Sequence, residues 1–185
     1  MRRSRGTVSC KSNRRIFYQY WLPDRIPKAV ILLVHGLGEH SCRYGHVAQY
    51  FVEAGLGVCA LDLPGHGQSY GTPGHVSQFN DYLDAVGAVQ AQVIRDYDNV
   101  PMVLLGHSMG GLVAANYLLE HQQDFCACVL SAPLFRIDDP PGKVMQGALK
   151  TLSKTMPRMG VQKLDPSGVS RDPLVVHRYK NDPLV

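Results

Sequence analysis

The sequence predicts an α/β domain built from βαβ units around a mostly parallel sheet. Three observations carry this reading. Short β-rich runs alternate with longer helical stretches along the chain. Residues 29–35 and 102–106 are continuous apolar runs, the pattern of strands buried on both faces. Between them, residues 79–96 carry Tyr82, Leu83, Val86, Val89 and Val93 at helical spacing, which makes an amphipathic helix.

The first fifteen residues hold six Lys and Arg and no acid. They lack the apolar stretch that a secretory leader needs, so they read as a solvated basic tail. Residues 16–21 form the first expected strand, with Pro23 and Pro27 in the turn after it. The buried strand 29–35 is followed by a helix over 44–54, stopped by Gly55 and Gly57. A strand over 57–61 then runs into the turn-rich loop Asp62-Leu63-Pro64-Gly65-His66-Gly67-Gln68-Ser69. After the helix at 79–96 come the strand 102–106, a helix from Met109 to about Glu120, and a last strand over 127–131.

From Pro133 the texture changes. Residues 136–185 hold 9 Lys+Arg against 5 Asp+Glu, whereas residues 16–135 hold 4 against 10. The expected organisation is a tail and first turn (1–15), an acidic core (16–132) and a basic cap region (133–185).

With 185 residues, 45% of them hydrophobic and 18% charged, the chain can bury a core without disulfide or metal staples. Its longest apolar runs fall far short of the roughly 20 residues that cross a bilayer. The net charge of +4 comes from the first fifteen residues, which leaves no basic surface for nucleic acid. Five cysteines at irregular spacing suit reduced thiols in a cytoplasmic protein. Cys126 and Cys128 would share one face of a strand, and core packing fits them better than a metal site.

Two motifs carry chemistry. Gly106-His107-Ser108-Met109-Gly110-Gly111 stands between a buried strand and a helix, the setting of a GxSxG nucleophile elbow. Small residues around Ser108 let the chain turn sharply, and the helix N-terminus faces developing negative charge. A glycine-rich turn with a capping serine is the bland alternative. His35-Gly36-Leu37-Gly38 ends the earlier buried strand. The backbone N–H groups of Leu37 and Met109 are the expected oxyanion-hole donors, each able to contribute about 3–4 kcal/mol to a tetrahedral transition state. His35, Gly36 and His107 would line the site, with His35 shaping the loop. Asp62 and His66 read as braces of turns, and Glu39, His40, Cys42 and Arg43 as helix entry and loop packing, with substrate contact the alternative for these four.

Three stretches, HGLGEHSCRY (35–44), DLPGHGQS (62–69) and LGHSMGG (105–111), together resemble the monoacylglycerol lipase branch of the α/β-hydrolase superfamily. The likeness runs from about Ile16 through Ser131, and Asn181-Asp182-Pro183-Leu184 is similar to the end of that family's cap. It implies an α/β-hydrolase fold with a doubly wound, mostly parallel sheet. It also implies a serine esterase acting on monoacylglycerols or lysophospholipids, with Ser108 as nucleophile and no metal or organic cofactor.

Family members continue beyond the cap with two further strands whose loops carry the catalytic acid and histidine. The resemblance therefore implies a chain truncated after the cap region and inactive alone. Of the histidines after Ser108, His121 falls at the far end of the following helix and His177 within the cap-like segment. A non-catalytic binding remnant, or a thioesterase or peptidase of the same superfamily, are the alternatives.

Residues 144–156 place Val144, Met145, Ala148, Leu149, Leu152 and Met156 on one helical arc, with Lys143, Lys150 and Lys154 opposite. The pattern fits a surface helix packed on the core. It also fits a lid whose Met-rich face meets an acyl chain while its lysines face an anionic membrane surface.

Overall fold

The structure is a computed structural model in which residues 1–136, 142 and 165–185 are described. The described chain divides into two compact units, Met1–Leu134 and Phe135–Val185.

The first unit is a six-stranded sheet with helices on both faces. Its strands are β1 (Arg2–Ser9), β2 (Arg15–Leu22), β3 (Val30–Val34), β4 (Gly57–Leu61), β5 (Met102–His107) and β6 (Ala127–Ser131). The spatial order is β1-β2-β4-β3-β5-β6. The pairs β1/β2 and β2/β4 are antiparallel, and β4/β3, β3/β5 and β5/β6 are parallel. The helices are α1 (Gly45–Glu53), α2 (Asn80–Asp96) and α3 (Met109–His121).

Side-chain alternation divides the strands between two cores. Val30, Leu32 and Val34 of β3 pack with Tyr82, Val86 and Val89 of α2 and with Val113 and Tyr117 of α3. Ile31 and Leu33 of the same strand turn the other way and meet Tyr44, together with Ala48 and Val52 of α1. The sheet is thus doubly wound. All five residues of β3 and all five of β4 are buried, as their unbroken apolar runs predict.

The elements expected from the pattern form with shifts of one residue at most ends. The basic start is the exception, because residues 2–9 are no free tail but a strand fully paired with β2. Charged side chains are what an exposed edge strand carries, so its sequence resembles a solvated segment. The connecting turn closes through the Cys10 N–H to Arg14 O bond, with Asn13 at φ +54°.

Cys126 and Cys128 are a second correction: both are exposed rather than packed in the core. Cys128 belongs to β6, where all five residues are exposed. Among the described residues no strand pairs the outer edge of β6.

In the second unit, the described part holds a 3-10 turn (Pro166–Val169) and α4 (Pro173–Lys180). Asp165 and Asp172 cap them by accepting the Ser167 and Leu174 N–H groups. The amphipathic stretch 144–156 lies outside the described residues. No helix of the described residues is long and apolar enough to cross a membrane.

Candidate active site

Ser108 stands between the last residue of β5 and the first of α3, at φ +51° and ψ −120°. An L-residue adopts this backbone only when its surroundings enforce it, and such strain gathers at functional sites. Here the enforcement is visible in hydrogen bonds. The Ser108 N–H donates to Ser131 O at 3.0 Å, and Ser108 O accepts from Gly111 and Leu134 N–H groups at 2.9 and 3.0 Å. The glycines flanking the serine leave no room for anything larger. A Cβ on Gly106 would meet the Gly111 Cα at 2.7 Å, and one on Gly110 would strike the carbonyl oxygens of Val34 and His35. The turn therefore packs directly onto the end of β3.

That end of β3 carries the second half of the site. A Cβ built on Gly36 would lie 3.1 Å from the Ser108 Cβ and 3.4 Å from the His107 carbonyl oxygen. The loop after β3 thus runs against the serine. Met109 opens α3, so its N–H has no intrahelical acceptor. The Leu37 N–H has no hydrogen-bond partner among the described residues. Leu37 is 43% exposed and Met109 9%.

His35 is fully buried and ties three segments together. Its Nε2 accepts the Leu63 N–H at 2.9 Å. The ring proton therefore sits on Nδ1, which donates to Gly36 O at 2.7 Å. Burial, reinforced by the neighbouring His66, pushes the His35 pKa down to about 3 and keeps the ring neutral. A neutral ring with both nitrogens engaged supports a loop and has no free nitrogen with which to take a proton.

The remaining histidines of interest are also placed. His107 faces β6, with Nδ1 3.1 Å from Ser131 O and 3.3 Å from Ser131 Oγ. His121 closes the far end of α3, stacked on Tyr117 at 4.1 Å and 3.3 Å from Asp124. His177 is exposed on α4 in the second unit, with the Asn181 amide 3.2 Å from its Nε2.

Three further side chains join the loops of this region through bonds that the sequence pattern alone does not show. Buried Asp62 accepts the Ser41 N–H at 2.7 Å and the Gln68 N–H at 2.8 Å, which joins the loops after β3 and β4. Buried Gln19 on β2 donates to Ser41 Oγ at 2.6 Å and accepts from the Arg3 guanidinium of β1 at 2.6 Å. Glu39 accepts the Gly36 N–H at 2.6 Å and the Tyr44 O–H at 2.7 Å. Only the last had a local signal: an acid three residues after a backbone N–H is the spacing of a capping box.

A mostly parallel sheet wound on both sides, with a strained serine between a central strand and the helix after it, is the α/β-hydrolase arrangement. The chain belongs to the hydrolase family described as serine aminopeptidase S33, whose model matches residues 25–185. It is 40% identical over 171 residues to a monoacylglycerol lipase of Mycolicibacterium smegmatis, a match covering 92% of this chain and 61% of the relative. It is 37% identical over 175 residues to the human monoglyceride lipase, covering 92% of this chain and 56% of the relative. The crystal structure of the Paleococcus ferrophilus monoacylglycerol lipase superimposes with a TM-score of 0.75 at 31% identity, over all of this chain and 64% of that one. The chain therefore spans about three-fifths of the length of the curated relatives it matches.

Proposed function

We propose that the protein hydrolyses carboxylic esters of lipid-like substrates, monoacylglycerols foremost, with Ser108 as the nucleophile. The observation that carries this reading is the backbone of Ser108, held at φ +51° between β5 and α3 with the Gly36 loop against it. In this mechanism the Ser108 hydroxyl attacks the ester carbonyl and gives its proton to a base. The Leu37 and Met109 N–H groups bind the oxygen that becomes negative, and the N-terminus of α3 adds its positive end. The Ser108 N–H is not a donor here, because Ser131 O takes it. The ester C–O bond breaks as the alcohol leaves with the proton taken from Ser108, and water then hydrolyses the acyl-serine to free the acid and restore Ser108.

The proton on Ser108 needs a base. His35 has both ring nitrogens engaged, His107 turns its ring toward Ser131 of β6, His121 closes the far end of α3, and His177 belongs to the second unit. We place the base and its orienting acid in the part of the relatives' length that this chain does not match. The 185 residues alone would then retain only the contribution of the oxyanion donors and of binding, about 10³–10⁴ over water. The substrate under this reading is a monoacylglycerol or a lysophospholipid, reached in solution or at a membrane surface, and the exposed, unpaired thiols of Cys126 and Cys128 suit a reducing compartment.

A panel of ester, thioester and amide substrates, given to the protein extended to its relatives' length, tests this reading. Monoacylglycerol esters should turn over fastest. Preference for aminoacyl amides would make it a peptidase, and preference for thioesters a thioesterase.

A further inference from the structure

We propose that Glu39 and Tyr44 are positioning residues of the oxyanion hole, holding the Leu37 N–H in the direction that meets the developing charge. The inference rests on reading Ser108 as nucleophile and Leu37 as donor. It begins from a conflict at Gly36. A Cβ there would stand 2.8 Å from the Glu39 Oε1 and 3.1 Å from the Ser108 Cβ, so a side chain would displace the Glu39 carboxylate and press on Ser108. Glycine is also the residue with the freest backbone, which is unsuitable for a segment that must aim a donor.

The structure resolves the conflict by fastening both polar atoms of Gly36 from outside. Its N–H donates to Glu39 Oε1 at 2.6 Å, and its carbonyl oxygen accepts the His35 Nδ1–H at 2.7 Å. The Gly36–Leu37 peptide is planar and trans, so its C=O and N–H point in opposite directions. Fixing the carbonyl toward His35 turns the Leu37 N–H away from it.

Glu39 is fixed in turn. The same Oε1 accepts the Tyr44 O–H at 2.7 Å, and the Tyr44 ring is buried in the core beneath α1. Burial first, and the Glu39 charge second, raise the Tyr44 pKa, so its hydroxyl stays a donor. A chain of contacts therefore runs from the α1-side core through Tyr44 and Glu39 to Gly36.

Two effects of the Glu39 carboxylate oppose each other. Its negative charge beside the serine disfavours a second negative charge on the oxyanion, whereas its charge-assisted bond to Gly36 preorganises the donor. Two donors share the one oxygen that faces the loop, which dilutes the first effect and strengthens the second. Glutamine keeps an acceptor oxygen but removes the charge, so it relieves the repulsion and weakens the bond to Gly36. The two effects differ in sign: the first would speed acylation, and the second would slow it.

The test is the second-order rate of Ser108 labelling by a fluorophosphonate in Glu39→Gln, Tyr44→Phe and the double variant, on the protein extended to its relatives' length. Each single change should slow labelling about tenfold, a factor equal to roughly 1.4 kcal/mol, and the double variant should lose little more. Melting temperatures should fall by no more than the loss of one part-buried hydrogen bond, and the Gly36 amide should exchange faster with solvent in both single variants. Tyr44→Phe keeps the ring, so it remains informative if Glu39→Gln folds poorly. Labelling that is unchanged or faster in both variants, or losses that multiply, would overturn the proposal. Ser108→Ala separates the two levels: labelling that survives it removes the nucleophile reading, whereas labelling that it abolishes while Glu39→Gln and Tyr44→Phe stay at parent rate removes only this one.

Discussion

The imidazole of His35 lies with its ring centroid 5.2 Å from that of His66, both rings buried behind the loop that faces Ser108. Burial lowers both pKa values, that of His35 to about 3. In the unfolded chain each would take up a proton near pH 6.5.

Stability should therefore fall as the solution is acidified. Between pH 6.5 and about 3 the unfolded state binds protons that the folded His35 refuses, so the folding equilibrium shifts toward the unfolded side as pH drops. Each such histidine contributes a slope of at most about 1.4 kcal/mol per pH unit. Urea unfolding at pH 7.5, 6.5 and 5.5 checks this, with the midpoint level above pH 7 and declining below it. The decline should be shallower in His66→Asn. A midpoint that rises on acidification would mean that the rings are charged in the folded protein.

The N-terminal strand should matter to the site as well as to the sheet. Arg3 bonds Gln19 and lies 5.3 Å over the Trp21 ring, and Gln19 in turn bonds Ser41 in the loop after β3. Gln19→Leu leaves Ser41 Oγ and the Arg3 guanidinium without their shared partner, at a cost of about 1–3 kcal/mol. Denaturant titration should show that loss at constant slope, whereas Arg5→Ala, on the exposed edge, should change little. Equal effects of the two would show that the Arg3-Gln19-Ser41 chain carries no stability.

Much of this molecule was legible in its sequence because burial writes a strong pattern. The unbroken apolar runs of β3 and β4 and the helical spacing of Val86, Val89 and Val93 each reflect the side that faces a core. The elbow was legible because a GxSxG turn after a buried strand constrains both sterics and chain direction. Strand β1 was not, since Arg2, Arg3 and Arg5 are paired through backbone groups that the side-chain pattern does not report. The exposure of Cys126 and Cys128 escaped because an apolar run reports a preference for burial and not whether anything covers it: among the described residues β6 is the last strand of the sheet, and all five of its residues are exposed. The roles of Glu39 and Gln19 depend on contacts across loops, which no local window contains.

The outer edge of β6 should make the 185-residue chain self-associate. Val129 is 47% exposed and Leu130 37%, and residues 127–131 contain no charge or proline that would discourage pairing. Sedimentation velocity over a concentration series should show dimers or larger species, reduced by Val129→Lys. A monodisperse monomer with cooperative unfolding would mean that the edge is protected.

The central claim is that Ser108 performs the chemistry, and the direct measurement is hydrolysis of a monoacylglycerol by the protein extended to its relatives' length, with and without Ser108→Ala. Loss of a triad nucleophile reduces turnover by about 10⁶. The account predicts a fall of that order, with a fluorophosphonate adduct found by mass spectrometry on the peptide containing Ser108 and lost in the variant. Turnover of the Ser108→Ala protein at the rate of the parent, or an adduct on another residue, would contradict it.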